Sequence, residues 1–322
     1  MKVITYSKNI FIPITDFCIN DCSYCKFRSD LETARIMKLE QIKSQLFAAK
    51  RAGCKEVLFS CGTQPDKSVK FRQRFRSETG YNSVVELVTA ACQKALEIGL
   101  IPHTNLGVID FEALEILAEY NGSMGLMLET TAEVAAHYHS PTKDPNTRLE
   151  FIAQAGQLKI PFTTGLLVGI GEKKEDRVKS LQALCDLHNK YGHLQEVIIQ
   201  PVKSTKKGFA GVSLVQLQQL IGLAREIMPS EVAIQVPPNL AIENLKGLIE
   251  SGVSDLGGIS SLTDDYINPE YKWPQLEQLK NQLEPEYQLQ ERLPIYSHFL
   301  QEEWLRRPVQ VSLQREGWQN GL

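Results

Sequence analysis

A chain of 322 residues with 43% hydrophobic content can bury one large core, and a net charge of -3 leaves no extended basic footprint for nucleic acid beyond the short Lys203 to Lys207 stretch. Nothing approaches about 18 consecutive uncharged apolar residues, and Met1 to Asn9 carries no apolar core with a cleavage site, so neither export nor membrane spanning is expected. A cytoplasmic protein with a small-molecule partner is, and its seven cysteines argue against a disulfide framework because a reducing cytosol keeps thiols free.

The first β-prone run, Asn9 to Ile14, leads into Cys18-Ile19-Asn20-Asp21-Cys22-Ser23-Tyr24-Cys25, which places three thiols within eight residues. Thiolates on one short loop can converge on a single metal centre. Iron-sulfur clusters are held by Cys thiolates, and three ligands leave one iron of a four-iron cluster open to an exogenous ligand. Zinc is an alternative, but it normally takes four tetrahedral ligands from repeated pairs; no second pair is present, and His137 and His139 are spaced too closely. Buried unligated cysteines are a second alternative, against which stands the clustering of three of the seven. Cys54, Cys61, Cys92 and Cys185 are scattered and read as core residues.

A helical pattern over Lys38 to Ala52, stopped by Gly53, precedes the second strand, Glu56 to Ser60, and the turn Ser60-Cys61-Gly62-Thr63-Gln64-Pro65. Phe71 to Asn82 reads as a loop, followed by a helix over Ser83 to Ile98 and a strand over Ile101 to Asn105. Next come a helix over Phe111 to Glu119, a strand over Ser123 to Leu128 ending at Glu129, and a helix over Arg148 to Leu158. The fifth strand, Pro161 to Val168, runs into Gly169-Ile170-Gly171-Glu172 and a helix over Asp176 to Lys190. Strands over Glu196 to Gln200, Val232 to Val236 and Ser254 to Ile259 then alternate with helices over Ser213 to Met228 and Leu240 to Glu250.

Eight apolar strands followed by helices favour a parallel sheet covered by helices, most simply a closed α/β (β/α)8 TIM-type barrel, with a partial barrel of six strands as the alternative. The expected organisation is a barrel domain over residues 1–275 and a helical tail over 276–322 packed on it, beginning with a polar helix, Gln275 to Leu283, and carrying Arg292, Tyr296, His298 and Trp304. Barrel enzymes place working residues after the carboxyl ends of strands. His103, Asn105, Glu196, Gln200, Gln235, Asn239, Asp264 and Asp265 are therefore candidates for substrate contacts, and His137, His139 and His193 for proton transfer. Each also has a plain structural reading as a satisfied buried group or a surface residue.

The spacing C-x3-C-x2-C, with Tyr24 just before the third Cys and the whole motif after strand one, resembles the signature of the radical S-adenosylmethionine superfamily. That resemblance implies a [4Fe-4S] cluster on Cys18, Cys22 and Cys25, with S-adenosylmethionine chelating the open iron. An electron from an external donor then cleaves the cosubstrate to a 5'-deoxyadenosyl radical. The resemblance places Tyr24 at the cosubstrate and assigns Gly62 and Thr63 to the loop that meets the methionyl amine, although an acidic residue usually stands where Thr63 does. Glu129 falls at the ribose hydroxyls, whose protons a carboxylate accepts; capping the next helix is its alternative role. Gly169, Ile170, Gly171 and Glu172 match the end of the adenine motif G-x-I-x-G-x-x-E, with Leu167 in place of its Ile.

Longer stretches over roughly residues 4–275 resemble the CofG-type subunit of 7,8-didemethyl-8-hydroxy-5-deazariboflavin (FO) synthase. They include Thr5-Tyr6-Ser7-Lys8-Asn9, His103-Thr104-Asn105, Ser140-Pro141-Thr142-Lys143-Asp144-Pro145, Pro237-Pro238-Asn239-Leu240 and Asp264-Asp265-Tyr266-Ile267-Asn268. The implied substrate is the adduct of a tyrosine-derived 4-hydroxybenzyl group with 5-amino-6-ribitylaminouracil. Hydrogen abstraction, ring closure and loss of ammonia would give the deazaflavin chromophore, with a CofH-type sister subunit as partner. His103, Asn105, His193 and Asp265 are the candidate catalytic residues, and Phe71 to Asn82 and the tail after Trp273 the candidate covers of the site. Two other readings stay open: a CofH-type transferase that makes the adduct, and a non-catalytic metal-binding or electron-transfer protein.

Overall fold

The computed structural model describes residues 2–203 and 211–321, so all but the first residue of the Lys203 to Lys207 stretch lies outside the described residues. Eight strands occupy the expected positions: β1 (Lys2–Thr15), β2 (Glu56–Cys61), β3 (Ile101–Asn105), β4 (Ser123–Gly125), β5 (Phe162–Val168), β6 (Leu194–Pro201), β7 (Ala233–Gln235) and β8 (Asp255–Ser260). Neighbours pair in parallel in chain order, and β1 pairs with both β2 and β8, which closes the barrel and excludes the six-strand arrangement. Strands covered on both faces read as unbroken apolar runs; β5 is buried at every position.

The outer layer comprises α1 (Leu39–Arg51), α2 (Val69–Thr79), α3 (Val84–Glu97), α4 (Phe111–Ala118), α5 (Pro145–Gln157), α6 (Lys174–Tyr191), α7 (Leu214–Ile227), α8 (Pro238–Ala241) and α9 (Leu245–Glu250). Helix α3 shows why these segments fold where they do. The Ser83 hydroxyl caps it by accepting from Glu86 N, while Leu87, Val88, Ala91 and Ala95 recur on one buried face. A cap of this kind contributes about 1 kcal/mol and each fully buried Leu or Val roughly 1.5–3 kcal/mol. Beyond Ile98, Gly99 takes φ +77°, a conformation only glycine adopts freely.

Two expectations are corrected. Phe71 to Asn82 is not a loop but largely helix α2, pinned by the fully buried Phe71 and Phe75 one turn apart and by Arg74, whose guanidinium donates to the Leu31 and Ala34 carbonyls. The helix expected over Leu240 to Glu250 is broken into α8, a 3-10 turn over Ile242–Asn244, and α9.

The tail begins with α10 (Leu276–Leu283), then adds β9 (Tyr287–Arg292) in parallel to the first half of β1, from Lys2 opposite Tyr287 to Ser7 opposite Arg292. The following segment crosses the amino-terminal end of the barrel. There the Pro294 carbonyl accepts from Ser123 Oγ (2.9 Å) and Gln195 Nε2 (3.1 Å), at the starts of β4 and β6. A last helix, α11 (Arg307–Arg315), packs on α3, with Ser312 Oγ donating to the Leu96 carbonyl, around a core of Leu96, Ile101, Leu293, Ile295, Phe299 and Val309. From β9 onward the tail thus closes the end opposite the cysteine loop and is no cover for the mouth.

Candidate active site

One cavity of about 380 Å³ occupies the barrel lumen, from Cys18, Cys22 and Cys25 at the carboxyl ends of the strands to Arg292 and Pro294 at the amino ends. The cysteine loop is clamped at its mouth by backbone bonds: Gly62 N to Thr15 O, Ile19 N to Thr63 O, Asp21 N to His139 O and Ser23 N to Ala136 O. Asn20 and Thr142 exchange two hydrogen bonds, Nδ2 to Oγ1 at 2.7 Å and Thr142 N to Oδ1 at 3.2 Å. A side chain at Gly62 would collide with the Phe17 carbonyl, so close backbone approach requires glycine there. Thr63 N donates to Cys18 Sγ (3.1 Å) and Ser140 Oγ to Cys22 Sγ (3.1 Å). Burial raises the Cys22 thiol, while nearby Lys143 and the Ser140 hydroxyl work the other way.

These three thiols fit a cluster better than one ion. All three cysteines line the cavity, three ligands from one loop, whereas a structural zinc takes four tetrahedral protein ligands. Thr63 N and the Ser140 hydroxyl fix the positions of two of the sulfurs, and thiolate sulfur is what ligates iron in such clusters.

Behind the loop, Glu129 is the hub of a buried charge network. Its backbone takes φ +70° yet continues the sheet, with Glu129 N donating to Gly165 O and Leu167 N to Glu129 O. Its carboxylate accepts from Lys143 Nζ and Tyr24 OH, with His137 Nε2 at 3.0 Å and Arg148 Nη2 at 4.0 Å. Burial alone would raise its pKa, but Lys143, Arg148 and His137 outweigh it and hold the carboxyl well below the usual range. Glu129, Lys143, Arg148 and Tyr24 all line the cavity. No role for Lys143 or Arg148 was legible beforehand; the one signal was the stretch from Ser140 to Pro145.

The glycine turn after β5 is organised by Glu172, whose carboxylate accepts from Gly169 N (2.8 Å), Ile170 N (2.8 Å) and Arg177 Nε (2.8 Å). Gly169 and Gly171 take φ +99° and +111°. Ile170 packs with Leu167, Val134 and Tyr24. Glu172 therefore shapes the turn, and none of Gly169 to Glu172 is among the residues lining the cavity.

At the amino end, Arg292 forks onto Asp255 (Nε to Oδ2 2.6 Å, Nη2 to Oδ1 2.8 Å) and reaches Glu196 (2.9 Å), which also accepts from Thr163 and Tyr296 hydroxyls. Burial, with Asp255 and Glu56 nearby, pushes Glu196 up to about 7 in spite of Arg292. His103 lines the cavity and is bonded through Nδ1 to Ser123 Oγ (2.7 Å); burial, assisted by Arg292, lowers it to about 3, so it is neutral. Asn105 also lines the cavity. Asp265 lines it too, but its oxygens accept from Asn239 and Asn268 side chains and from the Ile267 and Asn268 amides, which order the loop after β8. His193 is a correction: it is fully buried away from the cavity, with Nε2 on the Ile152 carbonyl and its ring among Phe162 and Tyr191.

A family profile described as the Radical SAM superfamily matches residues 12–184. Curated relatives named 7,8-didemethyl-8-hydroxy-5-deazariboflavin synthase include that of Archaeoglobus fulgidus, 43% identical over 98% of this chain and 97% of the relative. That of Methanococcoides burtonii is 45% identical over 100% and 98%. Among solved structures, HydG, a maturase of the [FeFe]-hydrogenase, matches with TM-score 0.65 at 17% identity over 80% of this chain and 57% of its own. Methylornithine synthase (PylB) matches with TM-score 0.59 at 18% identity over 88% and 78%. At such identities the two structures speak for the fold alone.

Proposed function

The chain belongs to the radical SAM superfamily, and from that membership we propose that it is a lyase of deazaflavin assembly, the CofG-type subunit of FO synthase. The observation that carries the reading is the placement of Cys18, Cys22 and Cys25 at the mouth of a closed-barrel cavity whose opposite end is polar. These cysteines would hold the [4Fe-4S] cluster. When bound, cluster and S-adenosylmethionine supply a 5'-deoxyadenosyl radical that abstracts hydrogen from a nearby carbon.

The protein's own residues supply position and enclosure. Thr63 and Ser140 orient two sulfurs; Glu129, held ionised by Lys143 and Arg148, would accept hydrogen bonds from the ribose hydroxyls beside Tyr24. The turn from Gly169 to Glu172 supports Tyr24 through Ile170. The barrel wall and the loop around Asp265, Ile267 and Trp273 shield the lumen, which matters because a carbon radical reacts with whatever lies nearest. Neutral His103 and Asn105 line the space left for the adduct of 4-hydroxybenzyl and 5-amino-6-ribitylaminouracil groups, from which ammonia leaves as the ring closes. A reductant must come from outside, and a CofH-type sister enzyme is the proposed source of the adduct.

The test is turnover of the adduct by anaerobically reconstituted protein, with formation of 5'-deoxyadenosine, the deazaflavin and ammonia expected. Deoxyadenosine formed only with tyrosine plus 5-amino-6-ribitylaminouracil would make the protein the transferase instead.

A further inference from the structure

The amino-terminal end of the lumen holds hydrogen-bonding capacity that the fold does not use. Glu56 lines the cavity at 7% exposure, with the Ser7 and Asn9 side chains and the Arg292 charge acting on its carboxyl, and makes no ion pair among the described residues. The cation beside it, Arg292, is engaged by Asp255 and Glu196. Asn9, paired with Glu56 across the β1–β2 ladder and 4% exposed, has an Oδ1 without a partner, and Gln195, 1% exposed, has an Oε1 in the same condition. Both residues line the cavity. Buried polar groups are nearly always bonded, so these two unmatched oxygens on one cavity wall, beside a carboxylate without an ion pair, point to a ligand that completes them.

The chemistry of that ligand follows from what is missing. Carboxylate and amide oxygens are acceptors, so the ligand must bring several donors. It must not be anionic, because three carboxylates share this end with one guanidinium already bonded to two of them. Nearer the mouth the wall is apolar at Phe11, Leu58, Ile198 and Leu256, suited to flat rings. A phenol offers one donor, whereas a ribityl chain offers several.

We propose that Glu56, with Asn9 and Gln195, forms a polyol subsite that accepts hydroxyl hydrogens of the substrate's ribityl chain and excludes a phosphorylated chain. The rings then lie along the apolar belt and the benzylic end faces the cysteine loop. The identity of the ligand rests on the lyase reading; the subsite's demand for an uncharged, donor-rich group does not.

The experiment compares full-length, anaerobically reconstituted wild type with Glu56→Gln and Asn9→Ala, all checked for unchanged iron content and helix content. Calorimetry measures binding of 5-amino-6-ribitylaminouracil, of its 5'-phosphate and of an analogue with ethyl in place of ribityl. Wild type is expected to prefer the ribityl compound to both others, and Glu56→Gln to weaken it on the order of tenfold or more, as for loss of a charge-assisted bond, leaving the ethyl analogue as it was. A preference over the ethyl analogue that survives Glu56→Gln and Asn9→Ala, or equal binding of the phosphate by wild type, overturns the subsite. The reverse orientation, with the phenol at Glu56, would show as sensitivity of Glu56→Gln to the adduct's phenol hydroxyl and not to its polyol. Adduct turnover is scored separately: its absence with the ribityl preference intact sinks the lyase reading alone.

Discussion

Glu129 shows how a residue proposed for the cosubstrate site can also carry stability. Lys143, His137, Tyr24 and Arg148 converge on one buried carboxylate, and replacing it by Gln leaves two cations without their partner. Glu129→Gln is expected to cost about 3–5 kcal/mol, read by chemical denaturation at neutral pH, and to weaken S-adenosylmethionine binding. Because the folded pKa is depressed, this stabilisation is present above the ordinary carboxylate range and is lost as pH falls through it and below, so wild type and variant should converge in acid. Glu196 has the opposite sign. Its folded pKa, about 7, lies above the unfolded value, so its contribution is full below the ordinary carboxylate range and is lost as pH rises toward 7. Glu196→Gln should flatten the fall in melting temperature across that window, and an unchanged slope would contradict the assignment. The cysteines were legible because their convergence is local, three ligands on one loop. Lys143 and Arg148 were not, and His137 was singled out only for proton transfer, because it is the fold that brings all three onto Glu129.

The elements read from periodicity were those buried on a whole face: eight strands and most of the covering helices. The sequence missed β9 because Tyr287–Arg292 is an edge strand whose burial alternates around two apolar residues, Tyr287 and Leu289, in an otherwise polar run. Helix α2 was hidden for a related reason, since only Phe71 and Phe75 mark its inner face. The consequence is that the tail's central role was invisible: Arg292 at the end of β9 neutralises Asp255 and Glu196 inside the barrel. Arg292→Leu is expected to destabilise by about 3–5 kcal/mol, the cost of stranding a buried partner, and denaturant titration against Arg306→Leu, a cation outside this network, provides the comparison. A loss under about 1 kcal/mol, the range of exposed ion pairs, would show that β9 is an ornament on an independently stable barrel.

For the molecule as a whole, the arrangement is a closed barrel with thiols at one end of its lumen, a bonded charge network at the other and an apolar belt between them. No helix among the described residues is long and apolar enough to cross a membrane. Single replacement of Cys18, Cys22 or Cys25 by Ala should abolish 5'-deoxyadenosine formation and lower iron content, whereas Cys92→Ala, in the core of α3, should do neither. The most direct test of the central claim is electron paramagnetic resonance of the reduced, anaerobically reconstituted protein with and without S-adenosylmethionine. A reduced four-iron signal at roughly four irons per chain, shifted when the cosubstrate binds, is the predicted result. A signal indifferent to S-adenosylmethionine, or protein that takes up zinc in place of iron and sulfide, would contradict it.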